Sequence, residues 1–183
     1  MYEVEVKVRT DHDRLRGRLD EIDAEHVETV KQVDTYYDAP HRDFAATDEA
    51  FRVRAESTDS ETETKITYKG PRVEAESKTR EEFETRVGDG ETMRAIAESL
   101  GFEPAVTVRK ERERFEASGF TVTLDSVEGL GEFLEVETEV AAEADVETAR
   151  ERAFELLEDL DLEPDEQIRT SYLGLLLAND AQR

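Results

Sequence analysis

The sequence predicts an α+β protein with eight strands, arranged mainly as antiparallel neighbours, and four helices between them. Eight stretches alternate apolar and polar residues with the period of two that a half-buried strand requires. Four other stretches repeat apolar residues at helical spacing. Ser118-Gly119 and the segment Gly129 to Gly131 have the composition of tight turns, and such turns make the strands that they join antiparallel.

Each strand is defined by its alternation and by its β-branched or aromatic residues. In the first strand, Glu3, Glu5 and Lys7 share one face, while Val4 and Val6 share the other. The expected strands lie at about 1–9, 27–37, 49–57, 62–70, 80–87, 105–116, 119–127 and 131–140. Meanders therefore account for most of the sheet, and helices are inserted at a few of the connections.

The four helices are expected at 11–24, 90–100, 145–160 and 168–177. Gly101 gives the second helix a stop signal, and Glu163-Pro164-Asp165 interrupts the C-terminal helical region. The last helix carries the apolar residues Tyr172, Leu173, Leu176 and Leu177. Its apolar face is expected to pack either over the sheet or against a partner subunit in a homodimer, and the sequence favours neither.

Length and composition fit one domain over residues 1–183 with a single core. The formal net charge is -24, and arginine greatly outnumbers lysine, a composition that resembles salt-adapted proteins of halophilic archaea. So negative a field repels nucleic acid and anionic membranes, and neither is expected as a partner. The sequence has no cysteine, no apolar run of membrane-spanning length and no leader-like N-terminus, so the cytoplasm is the expected compartment.

Acidic residues alternate along two strands that lie far apart in sequence. Glu3 and Glu5 share a face of the first strand, and Glu135, Glu137 and Glu139 share a face of the last. Two interpretations are open for these acids. They are either the solvated outer faces of ordinary strands, or two carboxylate ladders that meet in space and bind a metal ion.

Basic residues alternate along three further strands, as Arg52, Arg54, Lys65, Lys69, Lys110, Arg112 and Arg114. Lysine is scarce in this chain, so its concentration here indicates a specific use such as a point charge for phosphate. Arginine adds a planar fork that binds two phosphate oxygens at once. A closed sheet lined by such charges cannot be a dry core, because unpaired buried charges cost several kcal/mol each. An interior of this kind requires a highly charged ligand.

Histidine and tyrosine offer weaker signals. His12, His26 and His41 lack the spacing of metal ligands and are expected at the surface. Tyr36 and Tyr37 are expected to pack within their strand, although a tyrosine inside a tunnel could also assist a water molecule.

Motifs along the whole chain resemble those of the CYTH superfamily, the triphosphate tunnel metalloenzymes. Glu3-Val4-Glu5-Val6-Lys7 is similar to the alternating Glu-Glu-Lys signature at the N-terminus of that family. Further segments follow in family order: Asp34 to Asp38, Phe51 to Arg54, Thr67 to Pro71, Arg80 to Glu84, Val108 to Arg112, Leu124-Asp125 and Gly131 to Glu137. The Asp34 to Asp38 and Thr67 to Pro71 segments are most similar to the class IV adenylate cyclase, or CyaB-like, branch.

The resemblance implies an eight-stranded antiparallel barrel that binds a triphosphate end-on together with Mg²⁺ or Mn²⁺. It implies metal binding by the acids Glu3, Glu5, Asp125, Glu135 and Glu137. It implies triphosphate binding by Lys7, Arg52, Arg54, Lys69, Lys110 and Arg112. Lys65, Arg80 and Glu82 resemble further tunnel residues, among which Glu82 would orient the basic side chains of the tunnel. No residue is singled out as the general base.

Three functions are consistent with this site. The first is cyclisation of ATP, in which the ribose 3′ hydroxyl attacks the α-phosphorus and pyrophosphate leaves. The second is hydrolysis of an organic or inorganic triphosphate, such as thiamine triphosphate, a nucleoside triphosphate or tripolyphosphate. The third is a noncatalytic barrel that binds polyphosphate or nucleotide, which the full set of acids makes the weakest of the three.

Overall fold

Eight antiparallel strands close into a barrel in the part of the chain that the computed structural model describes, residues 2–72 and 80–180. The strands are β1 Tyr2–Arg9, β2 Glu25–Asp38, β3 Ala50–Ser57, β4 Thr62–Arg72, β5 Arg80–Val87, β6 Glu103–Ala117, β7 Phe120–Val127 and β8 Gly131–Val140. Their order around the barrel is β1-β5-β4-β3-β2-β6-β7-β8. The predicted fold class is confirmed, while Met1, included in the first predicted strand, lies outside the described residues.

Five α-helices lie around this barrel in the described part of the chain: α1 His12–Glu21, α2 Phe44–Thr47, α3 Gly90–Ser99, α4 Val146–Asp159 and α5 Tyr172–Asp180. Four of them were predicted, and α2, a single turn capped by Asp43, was not. The last helix begins at Tyr172 rather than at residue 168. A 3₁₀ turn at Pro164–Glu166 and a non-helical stretch precede it, and Ser171 Oγ accepts a hydrogen bond from the backbone N–H of Gly174 at its first turn.

The turn between β6 and β7 and the pairing of β1 with β8 fix how the strands of the barrel align. Between β6 and β7, Ser118 and Gly119 both adopt positive φ, at 53° and 81°, which is the geometry of a two-residue hairpin turn that matches strand twist. The barrel then closes where β1 pairs with β8, with Glu5 opposite Glu137 and Lys7 opposite Glu135. Both predicted acidic ladders therefore lie on neighbouring strands.

The apolar core lies outside the barrel wall. Val6 and Val8 of β1 are buried in one cluster with Leu15 and Leu19 of α1 and with Leu157 of α4. Since successive strand residues point to opposite faces, this packing sends the charged residues of the same strands into the barrel. In the described residues, no helix is long and apolar enough to span a membrane.

One histidine is not where the sequence led us to expect it. His12 was predicted at the surface but is only 2% exposed. It is the first residue of α1, and its ring Nε2 lies 3.0 Å from the carbonyl oxygen of Phe133 in β8. The prediction was wrong because the docking of α1 against the barrel, which covers this position, is a tertiary contact without a local sequence signal.

Candidate active site in the barrel interior

The interior of the barrel holds a cavity of about 420 Å³. Eleven of the predicted site residues line it: Glu3, Glu5, Arg52, Arg54, Lys69, Arg80, Glu82, Lys110, Arg112, Glu135 and Glu137. The other three predicted residues are Lys7, Lys65 and Asp125. They do not line the cavity but form ion pairs within the barrel wall. The cavity thus brings most of the predicted acids and bases together, from strands that span nearly the whole sequence.

Arg52 and Arg54 of β3 are held by a carboxylate of the neighbouring strand. Asp34 of β2 accepts hydrogen bonds from Arg54 Nε at 2.6 Å and Nη2 at 2.7 Å, and Arg52 Nη1 lies 3.3 Å away. Burial alone would raise the pKa of Asp34, but the two guanidinium groups hold it well below its usual range. The carboxylate is therefore ionised, and it orients both arginines at the cavity wall.

Lys69 of β4 joins two carboxylates from different strands. Its Nζ lies 2.7 Å from Glu3 Oε2 and 2.7 Å from Glu82 Oε2. Burial opposes ionisation of both acids, yet Lys69 holds the pKa of Glu3 well below its usual range. Burial and the nearby charge of Glu3 raise the pKa of Glu82 to about 7. Two carboxylates thus share one ammonium, and the second ionises with difficulty.

Asp125 of β7 is the centre of a second ion-pair network. It is fully buried and accepts hydrogen bonds from Arg112 Nε at 2.7 Å, Arg112 Nη2 at 2.6 Å and Lys110 Nζ at 3.0 Å. The hydroxyl of Tyr172 donates a further bond at 3.0 Å. Both carboxylate oxygens of Asp125 therefore bind cationic or hydroxyl donors, and the network fixes two cations of the cavity.

Glu135 connects this network to the first strand. Arg112 donates a hydrogen bond to Glu135, and Lys7 Nζ lies 3.9 Å from Glu135 Oε1. The ammonium of Lys7 also lies 4.0 Å from the centroid of the Tyr172 ring. Lys7 is 1% exposed, so its charge is balanced by these groups rather than by bulk water.

Four of the predicted metal-binding acids, Glu3, Glu5, Glu135 and Glu137, lie on the adjacent strands β1 and β8 and line the cavity. Burial, with the neighbouring carboxylates of Glu3, Glu135 and Glu5, raises the pKa of Glu137 to about 7. Carboxylate oxygens are the ligands that Mg²⁺ and Mn²⁺ prefer, and a divalent cation would relieve this crowding of like charges. The donor set therefore fits such an ion, although within residues 2–72 and 80–180 no three acids or histidines already form a metal-binding group.

Lys65 and Arg80, predicted as further tunnel residues, have different surroundings. Lys65 Nζ lies 3.1 Å from Glu56 Oε1. Arg80 Nη1 donates hydrogen bonds to the carbonyl oxygens of Asp48 at 2.9 Å and Gly70 at 3.3 Å. Arg80 therefore joins the segment before β3 to the end of β4, at the edge of the cavity.

Several residues of the site were not predicted as such. Asp34, Arg114, Phe44 and Tyr172 all line the cavity, and Arg114 binds Glu56 through Nη2 at 2.6 Å. Asp34 and Arg114 did carry a signal, because both lie on strands with recognised charged motifs. Phe44 of α2 carried none, and Tyr172 was named only as part of the apolar face of the last helix, since both positions depend on how loops and helices pack over the barrel.

Part of the lining is apolar. Phe44 and Ala45 of α2, together with Leu173, Gly174 and Leu177 of α5, contribute to the cavity next to Ala50. Charged groups and apolar groups thus line one continuous space, as in sites that bind a ligand with both a charged and an uncharged portion.

A closed barrel whose interior pairs many cations with carboxylates is the architecture of a triphosphate tunnel. The chain belongs to the CYTH domain family, which matches residues 1–172. It is therefore placed among the CYTH-type enzymes.

Individual relatives agree with this placement. The chain is 38% identical over 176 residues to a Methanocaldococcus jannaschii protein named "Putative adenylate cyclase", covering 96% of this chain and 98% of the relative. The PH1819 protein of Pyrococcus horikoshii is 37% identical, with a TM-score of 0.91 over 97% of this chain and 99% of its own. A Hippeastrum protein, described as a "Putative adenylyl cyclase" with a dominant triphosphatase activity, shares the fold at 17% identity, with a TM-score of 0.66 over 97% and 95% of the two chains.

Proposed function

We propose that this protein is a divalent-metal-dependent enzyme that converts ATP into cyclic AMP and pyrophosphate, as in the class IV adenylate cyclases. The observation that carries the proposal is the set of cavity cations, Arg52, Arg54, Lys69, Lys110 and Arg112, all of which line one space inside the barrel. Each has a carboxylate partner in the wall, so the charges are held in place before substrate arrives.

In the proposed complex these cations bind the oxygens of the triphosphate. Arg52, Arg54 and Arg112 offer guanidinium forks for pairs of oxygens, while Lys69 and Lys110 offer point charges. Because these cations come from several strands, they would contact the triphosphate from several sides and hold it in one fixed position, or register. Fixed register allows the ribose 3′ hydroxyl to attack the α-phosphorus in line, with the new O–P bond forming as the bond to the leaving pyrophosphate breaks.

Glu3, Glu5, Glu135 and Glu137 would hold the Mg²⁺ or Mn²⁺ ions. A bound divalent cation supplies neutralisation of charge on the transferring and leaving phosphate oxygens. The four acids supply hard oxygen donors on two paired strands. Lys69 and Arg112, which pair with Glu3 and Glu135, would stay in place through their second carboxylate partners, Glu82 and Asp125. Asp125, which the family resemblance implies as a further metal acid, already binds Arg112, Lys110 and Tyr172. We propose that it holds Arg112 and Lys110, two of the cations that bind the triphosphate.

An organic substrate is favoured over bare polyphosphate by the apolar part of the cavity. Phe44, Leu173 and Leu177 would face the uncharged portion of a nucleotide, because inorganic tripolyphosphate has no apolar surface to bury there. This argument supports a nucleoside or other organic triphosphate without choosing the base.

Hydrolysis of an organic triphosphate is the alternative, and a specific observation favours it. The Hippeastrum protein that shares this fold is described as having a dominant triphosphatase activity. The same cations and acids would serve a water molecule that attacks the terminal phosphorus, and hydrolysis needs fewer aligned groups than attack by a 3′ hydroxyl. Noncatalytic binding of a polyphosphate stays the weakest candidate, because it gives no role to the acids of β1 and β8.

The net charge of -24 argues against nucleic acid as a substrate, since a chain of many phosphates along the protein surface is repelled far more strongly than a single triphosphate that cations bind inside the barrel. The test is product analysis of the purified protein incubated separately with ATP, thiamine triphosphate and tripolyphosphate, with Mg²⁺ or Mn²⁺ at high salt. Cyclic AMP with pyrophosphate from ATP would support the cyclase. Orthophosphate without a cyclic nucleotide would replace it with the triphosphatase, and no turnover of any triphosphate would exclude both.

A further inference from the structure

Tyr172 is the first residue of α5 and lies where that helix meets the charged interior. It lines the cavity and is 7% exposed. Its ring packs edge-on against Phe133 of β8 with the ring centroids 5.0 Å apart, in a cluster that also contains Leu175 and Leu176 of α5. An aromatic side chain thus sits in the wall of a cavity whose lining also includes many charged groups.

Two lysine ammonium groups approach the same ring. Lys7 Nζ, from β1, lies 4.0 Å from the centroid of the Tyr172 ring, and Lys110 Nζ, from β6, lies 4.9 Å from it. Both lysines are buried, at 1% and 7% exposed. The attraction between an ammonium and an aromatic ring is strongest where water is excluded, so the ring replaces part of the hydration that these cations lose.

The hydroxyl of Tyr172 is tied to the same group of cations by a different route. It donates a hydrogen bond to Asp125 Oδ2 at 3.0 Å, and Lys110 Nζ donates to that same oxygen at 3.0 Å. Burial, with the charges of Glu135 and Asp125, raises the pKa of Tyr172 well above its usual range, so the hydroxyl keeps its proton. One side chain therefore contacts both lysines through its ring, and through its hydroxyl it contacts Asp125, the carboxylate that binds Lys110.

We propose that Tyr172 is a positioning residue of the triphosphate site, whose ring holds the ammonium groups of Lys7 and Lys110 for the phosphate chain. This inference rests on the proposed function. The ring is the acting part, because it is the group that both lysines share, whereas the hydroxyl reaches only Lys110, and only through Asp125. The arrangement also makes correct docking of α5 a condition for correct placement of Lys110 on the cavity lining and of Lys7 in the wall beside it.

The test compares dissociation constants for Mg²⁺-tripolyphosphate, measured by calorimetry on the full chain at high salt, for wild type, Tyr172→Leu, Tyr172→Phe and Leu176→Ala. Tyr172→Leu removes the ring and should weaken binding about tenfold, whereas Tyr172→Phe keeps the ring and should stay within about threefold of wild type. Leu176→Ala is the matched control, because it loosens the same helix in the same cluster with a side chain that offers a lysine neither charge nor π-face. Its melting temperature should fall while its affinity stays within about threefold of wild type.

Equal weakening by Tyr172→Leu and Leu176→Ala would overturn the inference, because α5 docking alone would then explain the effect. Loss of affinity in Tyr172→Phe as large as in Tyr172→Leu would also overturn it, since the ring would not be the acting part. Wild-type affinity in all three variants would overturn it while leaving the proposed function intact. A wild-type protein that binds no triphosphate would overturn the proposed function and the inference together.

Discussion

Asp34 holds Arg54 through both of its carboxylate oxygens, with Arg54 Nε 2.6 Å from Oδ1 and Nη2 2.7 Å from Oδ2. The two residues are direct partners in the β2–β3 register, and both are buried. A bidentate pair of this kind fixes the plane of the guanidinium group. Arg54, which is proposed to bind phosphate, is therefore oriented by the buried carboxylate of Asp34. A bound phosphate must either replace that carboxylate as the partner of Arg54 or bind beside it.

Asp34→Ala should destabilise the protein strongly in the absence of ligand. The change leaves Arg54 and Arg52 buried without the carboxylate that both now contact, and removal of one partner from a buried ion pair costs about 3 to 5 kcal/mol. The free energy of unfolding from urea titration measures this loss. Tripolyphosphate with Mg²⁺ should restore part of it, because a bound anion stabilises the folded state by linkage.

Asp161→Ala is the control for Asp34→Ala. Asp161 also pairs with two arginines, Arg14 and Arg18, but this group lies at the surface, where water screens such pairs and they contribute little to stability. If Asp34→Ala is no more destabilising than Asp161→Ala, the interior ion pairs of this barrel are solvated far more than their burial indicates.

Much of the barrel could be predicted from the sequence, because alternation along a strand decides which residues share a face. Glu3 and Glu5 point into the barrel for this reason, as do Arg52 and Arg54. The spacing within each strand is local information, and so the members of the site could be named before their partners were known.

The pairing of these residues was not predictable in the same way. Asp34 meets Arg54 because β2 and β3 adopt one register, which depends on the connection that contains α2. A helix of one turn, such as α2, is too short to show a helical period, so Phe44 could not be placed beside the cavity. The ring of Tyr172 reaches Lys7 only through the docking of α5, a contact between segments more than 160 residues apart in the chain.

Stability in the absence of divalent metal should fall as the pH rises from about 4.5 to 7. The pKa values of Glu82 and Glu137 are raised to about 7 by burial and neighbouring carboxylates, from an ordinary value of 4.5. In this window the folded chain binds more protons than the unfolded chain, so the free energy of unfolding falls with pH and levels off above pH 7. Urea titrations at several pH values with chelator present measure the slope.

Glu82→Gln and Glu137→Gln should each flatten that slope, so that the fall in the free energy of unfolding across the window becomes smaller by roughly 1 to 3 kcal/mol. Glu139→Gln is the control, because Glu139 is an exposed carboxylate on the same strand as Glu137. The depressed pKa of Asp34 acts at more acidic pH, since its contribution is complete above the ordinary pKa and is lost only below it. A slope that is unchanged in both glutamine variants would contradict the prediction.

Activity should require a divalent cation and the acids that face it. Chelator should abolish turnover, and Mg²⁺ or Mn²⁺ should restore it, because the acids of β1 and β8 are the proposed ligands. Glu5→Gln or Glu137→Gln should lower turnover by about two orders of magnitude or more, whereas Glu139→Gln should leave it nearly unchanged. Initial rates measured against metal concentration check this, and turnover that resists chelator would contradict the metal-dependent mechanism.

Leu177→Ala should separate organic from inorganic triphosphates as substrates. Leu177 lines the cavity from α5 and is 49% exposed, so its truncation removes apolar lining at little expense to the core. If the uncharged portion of ATP lies against this side chain, kcat/KM for ATP should fall about tenfold, while kcat/KM for tripolyphosphate should not change. Steady-state assays of both substrates provide the comparison, with Leu100→Ala, an exposed leucine of the α3 C-cap, as the control. An equal loss for the two substrates would mean that α5 acts on the phosphate chain, and unchanged rates for both would mean that the nucleoside lies elsewhere.

Faster turnover of tripolyphosphate than of ATP by the wild-type protein would overturn the cyclase proposal in favour of hydrolysis, because it would show that the catalytic groups need no ribose hydroxyl to reach the phosphate.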